Sequence, residues 1–193
     1  MNTINKEFST TIEIKKSKFI ATLIPVETVD AVNEALKRVR KKYYDATHNC
    51  YSYIIGQDGT TYKYSDDGEP SQTAGIIIYN ALSKNNLTNI LCIVTRYFGG
   101  IKLGAGGLVR AYAQATSDVI SASEILEIIE YANLKITFDY SYTTQILKMF
   151  SEEEKVDQSY TDKVTLEYKI PICKINAYKE QLIELTNGSI KIY

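Results

Sequence analysis

The stretch ILCIVTRYFGGIKLGAGGLVRAY, from Ile90 to Tyr112, decides how this chain is read. It opens with an apolar run, Ile90 to Val94, of the length and composition of a buried strand. It closes with apolar residues at helical spacing, Leu108, Tyr112, Ala115 and Val119. Between the two lie five of the chain's ten glycines, Gly99, Gly100, Gly104, Gly106 and Gly107. Three cations, Arg96, Lys102 and Arg110, are interleaved with them. The order strand, glycine loop, helix brings backbone N–H groups and a helix N-terminus towards an anion. The cations would add charge-assisted hydrogen bonds to phosphate or carboxylate. The plainer reading is a tightly packed glycine turn with solvated cations.

The loop fits neither common nucleotide motif. Gly99 to Gly104 is followed by Ala105 and Gly106, not by Lys and Ser or Thr, and Val109 stands where a dinucleotide loop has its third glycine. Upstream, Ser65-Asp66-Asp67-Gly68-Glu69-Pro70-Ser71-Gln72-Thr73-Ala74-Gly75 crowds three carboxylates into four residues. Such charges seek water, a cation or a helix N-terminus. Pro70 suits a first helical position with Glu69 as the cap before it, so a helix is expected to start there. Asp66, Asp67 and Glu69 are candidates for orienting the loop cations, or for holding a magnesium ion through one or two carboxylates, and an ion pair within ~4 Å is expected between the two segments. The only histidine, His48, precedes the strand-like run Cys50 to Ile55 and is a candidate donor to the acidic turn or to a bound phosphate.

The motifs SDDGEPS-TAG and TRYFGGIKLGAGGLVRAY resemble the IMPACT family, in its bacterial YigZ-like branch. KSKFIA (Lys16–Ala21) and DATHNCY (Asp45–Tyr51) strengthen the resemblance, which is strong to about Ser121 and weaker beyond. Gln72 stands where the family commonly has glycine. The resemblance implies an N-terminal domain like the second domain of a small-subunit ribosomal protein and a ferredoxin-like C-terminal domain. It also implies an association with translation, because eukaryotic relatives restrain a starvation-responsive kinase that targets an initiation factor. Those relatives bind the kinase's activator mainly through an extra N-terminal module. This chain is expected to start directly at the shared domain, so that partner is not expected.

The 193 residues, 45% of them apolar, suit one large or two small domains with real cores. A net charge of −1 excludes bulk electrostatic capture of nucleic acid and leaves only a local patch. Lys37-Arg38-Val39-Arg40-Lys41-Lys42 reads as the basic end of a helix over Val29–Lys41. Sixteen tyrosines are read mainly as strand residues. The three scattered cysteines carry no zinc spacing, and inert thiols in a cytoplasmic protein are expected. No membrane helix and no cofactor are expected. Gln57-Asp58-Gly59 suggests a hairpin turn.

A mixed α+β fold is therefore expected, with an IMPACT-like α/β sandwich over residues 1–130, its last helix rich in Ile and Glu. The pattern after it reads βαββαβ, a ferredoxin-like module over residues 131–193. The function expected is a translation-associated regulator that binds RNA or a phosphorylated ligand, with RNA, the ribosome or a translation factor as possible partners. The candidate contacts are His48, Asp66, Asp67, Glu69, Arg96, Gly99, Gly100, Lys102, Gly104, Gly106, Gly107 and Arg110. The alternative is a hydrolase or transferase acting on a phosphorylated small molecule.

Overall fold

A computed structural model describes residues 1–56 and 58–193, which fall into two compact units, Met1–Ile128 and Ile129–Tyr193. The first unit runs β1 (Asn2–Ile4), β2 (Phe8–Ile14), β3 (Ser17–Pro25), α1 (Val29–Lys42), β4 (His48–Ile55), β5 (Thr61–Ser65), α2 (Gly75–Lys84), β6 (Ile90–Tyr97), α3 (Ala105–Ala122) and β7 (Ile125–Glu127). Five strands form one sheet in the order β2-β3-β6-β4-β5, and every neighbouring pair is antiparallel. A separate two-stranded ribbon pairs β1 with β7.

The apolar run of β6 is explained by burial on both faces. Alternate residues Leu91 and Ile93 pack with Val32, Leu36 and Val39 of α1, while Ile90, Cys92 and Val94 join Ile78 and Leu82 of α2 and Leu108 and Tyr112 of α3. A strand buried twice carries no polar alternation. The α1 helix is capped by Thr28, whose hydroxyl accepts from Ala31 N–H, and its last turn holds Arg40, Lys41 and Lys42 against the negative dipole end.

Two expectations about local structure are corrected. Helix α2 starts at Gly75, not at Pro70, because Pro70 sits in a turn that ends with Thr73 N–H bonding back to its carbonyl. The segment after α3 is a strand rather than a continued helix: Ser123 terminates α3, and Ile125–Glu127 pairs with β1. The β4–β5 hairpin is present, with Ile55 opposite Thr61 and Gly59 N–H bonded to Gly56 O, while Gln57 of the expected turn lies outside the described residues.

The second unit runs β8 (Tyr131–Phe138), a 3-10 turn at Tyr140–Tyr142, α4 (Thr143–Met149), β9 (Glu154–Tyr160), β10 (Val164–Pro171), α5 (Ile172–Leu185) and β11 (Lys191–Ile192). Its sheet order is β11-β8-β10-β9, the ferredoxin-like arrangement of a βαββαβ chain. Leu134, Ile136 and Phe138 of β8 and Val164, Leu166, Tyr168 and Ile170 of β10 face the helices and pack with Ile146, Phe150 and Leu182. The opposite sheet face carries Lys135 and Thr137 beside Glu167 and Thr165, a charge-mixed surface.

Candidate ligand site at the N-terminus of helix α3

The loop from Phe98 to Gly104 joins β6 to α3. At Gly99 an added Cβ would lie 2.0 Å from the Lys16 carbonyl group, so only glycine lets the loop sit on the β2–β3 turn. That contact is fixed by Gly99 N–H donating to Ser17 Oγ at 3.2 Å. At Gly104 the requirement is conformational: its φ is 71°, and nothing lies within 4 Å of an added Cβ.

Gly104 is the N-cap of α3. It has no side chain to cap with, and no acidic residue stands in the first turn. The first ladder bond runs from Leu108 N–H to Gly104 O at 2.9 Å. The amides of Ala105, Gly106 and Gly107 therefore have no acceptor within the helix. An 18-residue helix ending in free N–H groups concentrates positive potential there.

This helix end opens on a cavity of about 290 Å³. Its walls are apolar, formed by Pro70, Phe98, Leu103 and Leu108, and its polar side carries His48, Glu69, Arg96 and Lys102 beside Gly104 and Ala105. Arg96 extends from the end of β6 and is 5% exposed. Its Nη1 donates to Glu69 Oε1 at 2.7 Å, so the glycine segment and the acidic turn meet as expected. The guanidinium packs between the rings of Phe19 and Phe98, 5.5 and 5.6 Å from their centres. Its Nε is buried without a hydrogen-bond partner among the described residues.

Glu69 is held a second time by Tyr112 Oη, which donates to Oε1 at 2.8 Å. Burial, helped by the neighbouring Cys50 and Glu69, pushes the Tyr112 phenol well above its ordinary range and keeps it a donor. Behind it, the Cys50 thiol lies 2.9 Å from Asp66 O and 3.2 Å from Tyr112 Oη, and its single hydrogen serves one of them at a time. Desolvation pushes that thiol up to about 12, so Cys50 is no nucleophile at neutral pH. His48, at the start of β4, places Nδ1 2.9 Å from Asp67 O and Nε2 3.9 Å from Glu69 Oε2. A carbonyl oxygen only accepts, so Nδ1 carries the hydrogen.

Only Glu69 of the three acidic residues faces the cavity. Asp66 accepts backbone N–H groups from Gln72, Ala74 and Gly75 at 2.9, 3.0 and 2.8 Å, and so caps α2 from the preceding loop. Asp67 accepts Asn49 N–H at 2.7 Å and pairs with Arg40 at 2.9 Å. Gln72 has a φ of 63°, in the left-handed region that favours glycine. The loop cations also divide: Arg96 and Lys102 line the cavity, whereas Arg110 lines a neighbouring groove with Lys15. Gly106 and Gly107 lie in the first turn of α3, and Gly100, with a φ of 84°, shapes the loop before it. Sequence reading missed Phe98, Pro70 and Leu103 as walls, and took Tyr112 as an apolar helix position. The one available signal was that a buried tyrosine hydroxyl needs a partner. Among the described residues, no three His, Cys, Asp or Glu side chains converge in a group that could hold a metal ion. No helix among them is long and apolar enough to cross a membrane.

The fold and the cleft define a two-unit α+β protein with a helix start that carries no side-chain cap next to a buried Arg–Glu–Tyr cluster. Residues 15–120 match the Impact N-terminal domain, and residues 136–189 match a domain of unknown function, DUF1949. The chain belongs to the IMPACT family, in its bacterial YigZ-like branch. It is 37% identical to IMPACT family member YvyE of Bacillus subtilis over 94% of this chain and 84% of that protein. IMPACT family member YigZ of Escherichia coli is 29% identical over 93% of this chain and 90% of its own length. A crystal structure described as that of a hypothetical protein superposes with a TM-score of 0.65 at 28% identity, covering 99% of this chain and 95% of that one.

Proposed function

We propose that this protein binds a phosphate-bearing ligand at the N-terminus of α3, within a translation-associated, cytoplasmic role. The observation that carries the reading is the uncapped, acid-free start of α3 opening on a cavity beside the buried Arg96 and the exposed Lys102. Free N–H groups and the helix dipole recognise phosphate without a dedicated motif. The association with translation rests on the family resemblance alone.

The test is a set of affinities for nucleotides and single-stranded RNA at rising salt. Binding should weaken with salt, because phosphate contacts release counterions. Lys102→Ala should weaken it, whereas Arg110→Ala, outside the cavity, should change it less than twofold on the order of experimental scatter. Salt-independent binding, or equal losses in both variants, would count against the site.

A second reading, catalysis on a phosphorylated small molecule, is favoured by one feature: His48 Nε2 and Glu69 Oε2 face each other at 3.9 Å on the cavity wall. Turnover of a panel of phosphorylated compounds, abolished by His48→Ala, would establish it. We propose further that residues 1–130 and 131–193 are separate domains. A fragment ending near residue 130 should fold and retain phosphate binding, and an unfolded fragment would refute the division.

A further inference from the structure

The four strands that end the two larger sheets differ in how they are protected. β5 is five residues long with Lys63 at its centre, and β11 is two residues long. β9 is broken by a bulge at Val156, since Glu167 stands opposite Asp157 and the next residue, Tyr168, opposite Lys155. Short length, lysine and bulges are the usual guards against pairing with another chain. β2, with the sequence FSTTIEI, has none of them. It runs seven residues in unbroken register against β3, from Phe8 opposite Leu23 to Ile14 opposite Ser17. Its one charge is Glu13, and among the described residues no strand covers its other side.

The β2–β3 turn fixes which groups face outward. Lys15 and Lys16 have φ of 48° and 64°, as in a two-residue type I′ turn. Such a turn is closed by a pair, here Ile14 and Ser17, that exchanges both backbone bonds. By alternation Phe8, Thr10, Ile12 and Ile14 direct their N–H and C=O groups to β3, whereas Ser9, Thr11 and Glu13 point theirs away from the sheet. An antiparallel second copy centred on Thr11 satisfies all three: Thr11 meets Thr11 of the copy, and Ser9 meets Glu13. Within the strand no like charges then face each other. The half-buried Phe8, Ile12 and Ile14, already packed on the core, meet Ile14, Thr10 and Phe8 of the copy, which continues the core across the two-fold axis. Glu7 and Lys15, which flank the strand, carry opposite signs, so antiparallel pairing brings unlike charges together at both ends.

We propose that β2 is a self-association edge: two copies pair β2 antiparallel about Thr11 and join their five-stranded sheets into one continuous sheet. A single strand pair lies at the small end of interface sizes, so the dimer is weak and concentration-dependent. None of the residues lining the α3 cavity lies in β2.

Sedimentation of the full chain from about 10 µM to about 1 mM should show a mass rising from 21.8 kDa towards twice that value. Amide hydrogen exchange should show Ser9, Thr11 and Glu13 protected at the higher concentration only, with Thr61–Ser65 unchanged. Thr11→Lys adds the guard that β2 lacks and sets like charges opposite each other, and Thr11→Pro removes the outward N–H at an edge position that tolerates proline. Each should weaken association at least about tenfold, the worth of the two central hydrogen bonds, with an unchanged circular dichroism spectrum. If proline disturbs the strand, the lysine variant decides alone. A wild type that stays at 21.8 kDa throughout overturns the proposal. So does a dimer whose affinity is unchanged in folded Thr11→Lys, or whose Thr11 amide stays unprotected.

Discussion

Arg96 Nη1 and Glu69 Oε1 lie 2.7 Å apart with side chains only 6% and 2% exposed, so the two charges that join the β6 end to the acidic turn are held out of water together. Removing one of them strands the other. Glu69→Leu should destabilise the protein by about 3–5 kcal/mol in urea unfolding. The double variant Glu69→Leu with Arg96→Met should lose clearly less than the sum of the two singles. A loss below about 1 kcal/mol in Glu69→Leu would show that the pair is not buried as described.

The two glycines of the loop make opposite demands. Gly99→Ala forces a Cβ against the Lys16 backbone, which cannot move without breaking the β2–β3 turn. A loss of about 1–3 kcal/mol is expected, as for an overpacked core. Gly104→Ala meets no atom among the described residues, and its cost is that of a backbone with φ 71° and ψ 166°, a conformation essentially confined to glycine, about 1–3 kcal/mol. Differential scanning calorimetry of both variants checks the losses. A Gly99→Ala protein as stable as wild type would remove the close approach from the account.

Thiol reactivity separates the three cysteines. Cys50 and Cys92 are buried, and burial pushes each thiol up to about 12, whereas Cys173 is exposed. At pH 8 a disulfide reagent should modify one thiol rapidly in the folded protein and all three after denaturation. Rapid reaction of more than one thiol in the native state would contradict the buried placement of Cys50 behind Tyr112.

Acid sensitivity of the second unit should trace to Glu153. The Lys174 ammonium at 2.8 Å, together with Tyr178 Oη, holds its carboxyl below the ordinary value of 4.5. A lowered acid contributes stability that is complete above its unfolded value and is lost as pH falls through the folded one. Unfolding midpoints of wild type should therefore drop below pH 4.5 more steeply than those of Glu153→Gln. Parallel curves for the two proteins would dismiss the contribution.

The sequence conveyed some of this arrangement and concealed the rest for identifiable reasons. The strand, loop and helix from Ile90 to Ala122 were legible because burial on both faces, glycine and 3.6-residue spacing each leave separate marks. The alternation of Leu134, Ile136 and Phe138 made the second unit equally plain. The start of α2 was not legible, since Glu69-Pro70 imitates a helix N-terminus while the true cap, Asp66, reaches Ala74 from eight residues upstream. Arg110 looked like a partner of Lys102 because both lie in the glycine segment, yet it lines the neighbouring groove with Lys15. Tyr112 gave an apolar helical signal that hid its hydroxyl, and the hydroxyl's partners, Cys50 and Glu69, lie 62 and 43 residues away.

The central claim is that free N–H groups at the start of α3 receive phosphate, and Ala105→Asp tests it most directly. Ala105 is exposed at the first helical position, so a carboxylate there complements the dipole and should leave the fold intact or stabilise it by about 0.3–1 kcal/mol. The same carboxylate takes up the free amides and repels an incoming anion. Calorimetric titration with inorganic phosphate should show binding to wild type and at least about a tenfold weaker affinity in the folded variant. Equal phosphate affinity in wild type and Ala105→Asp, with both proteins folded, would contradict the claim.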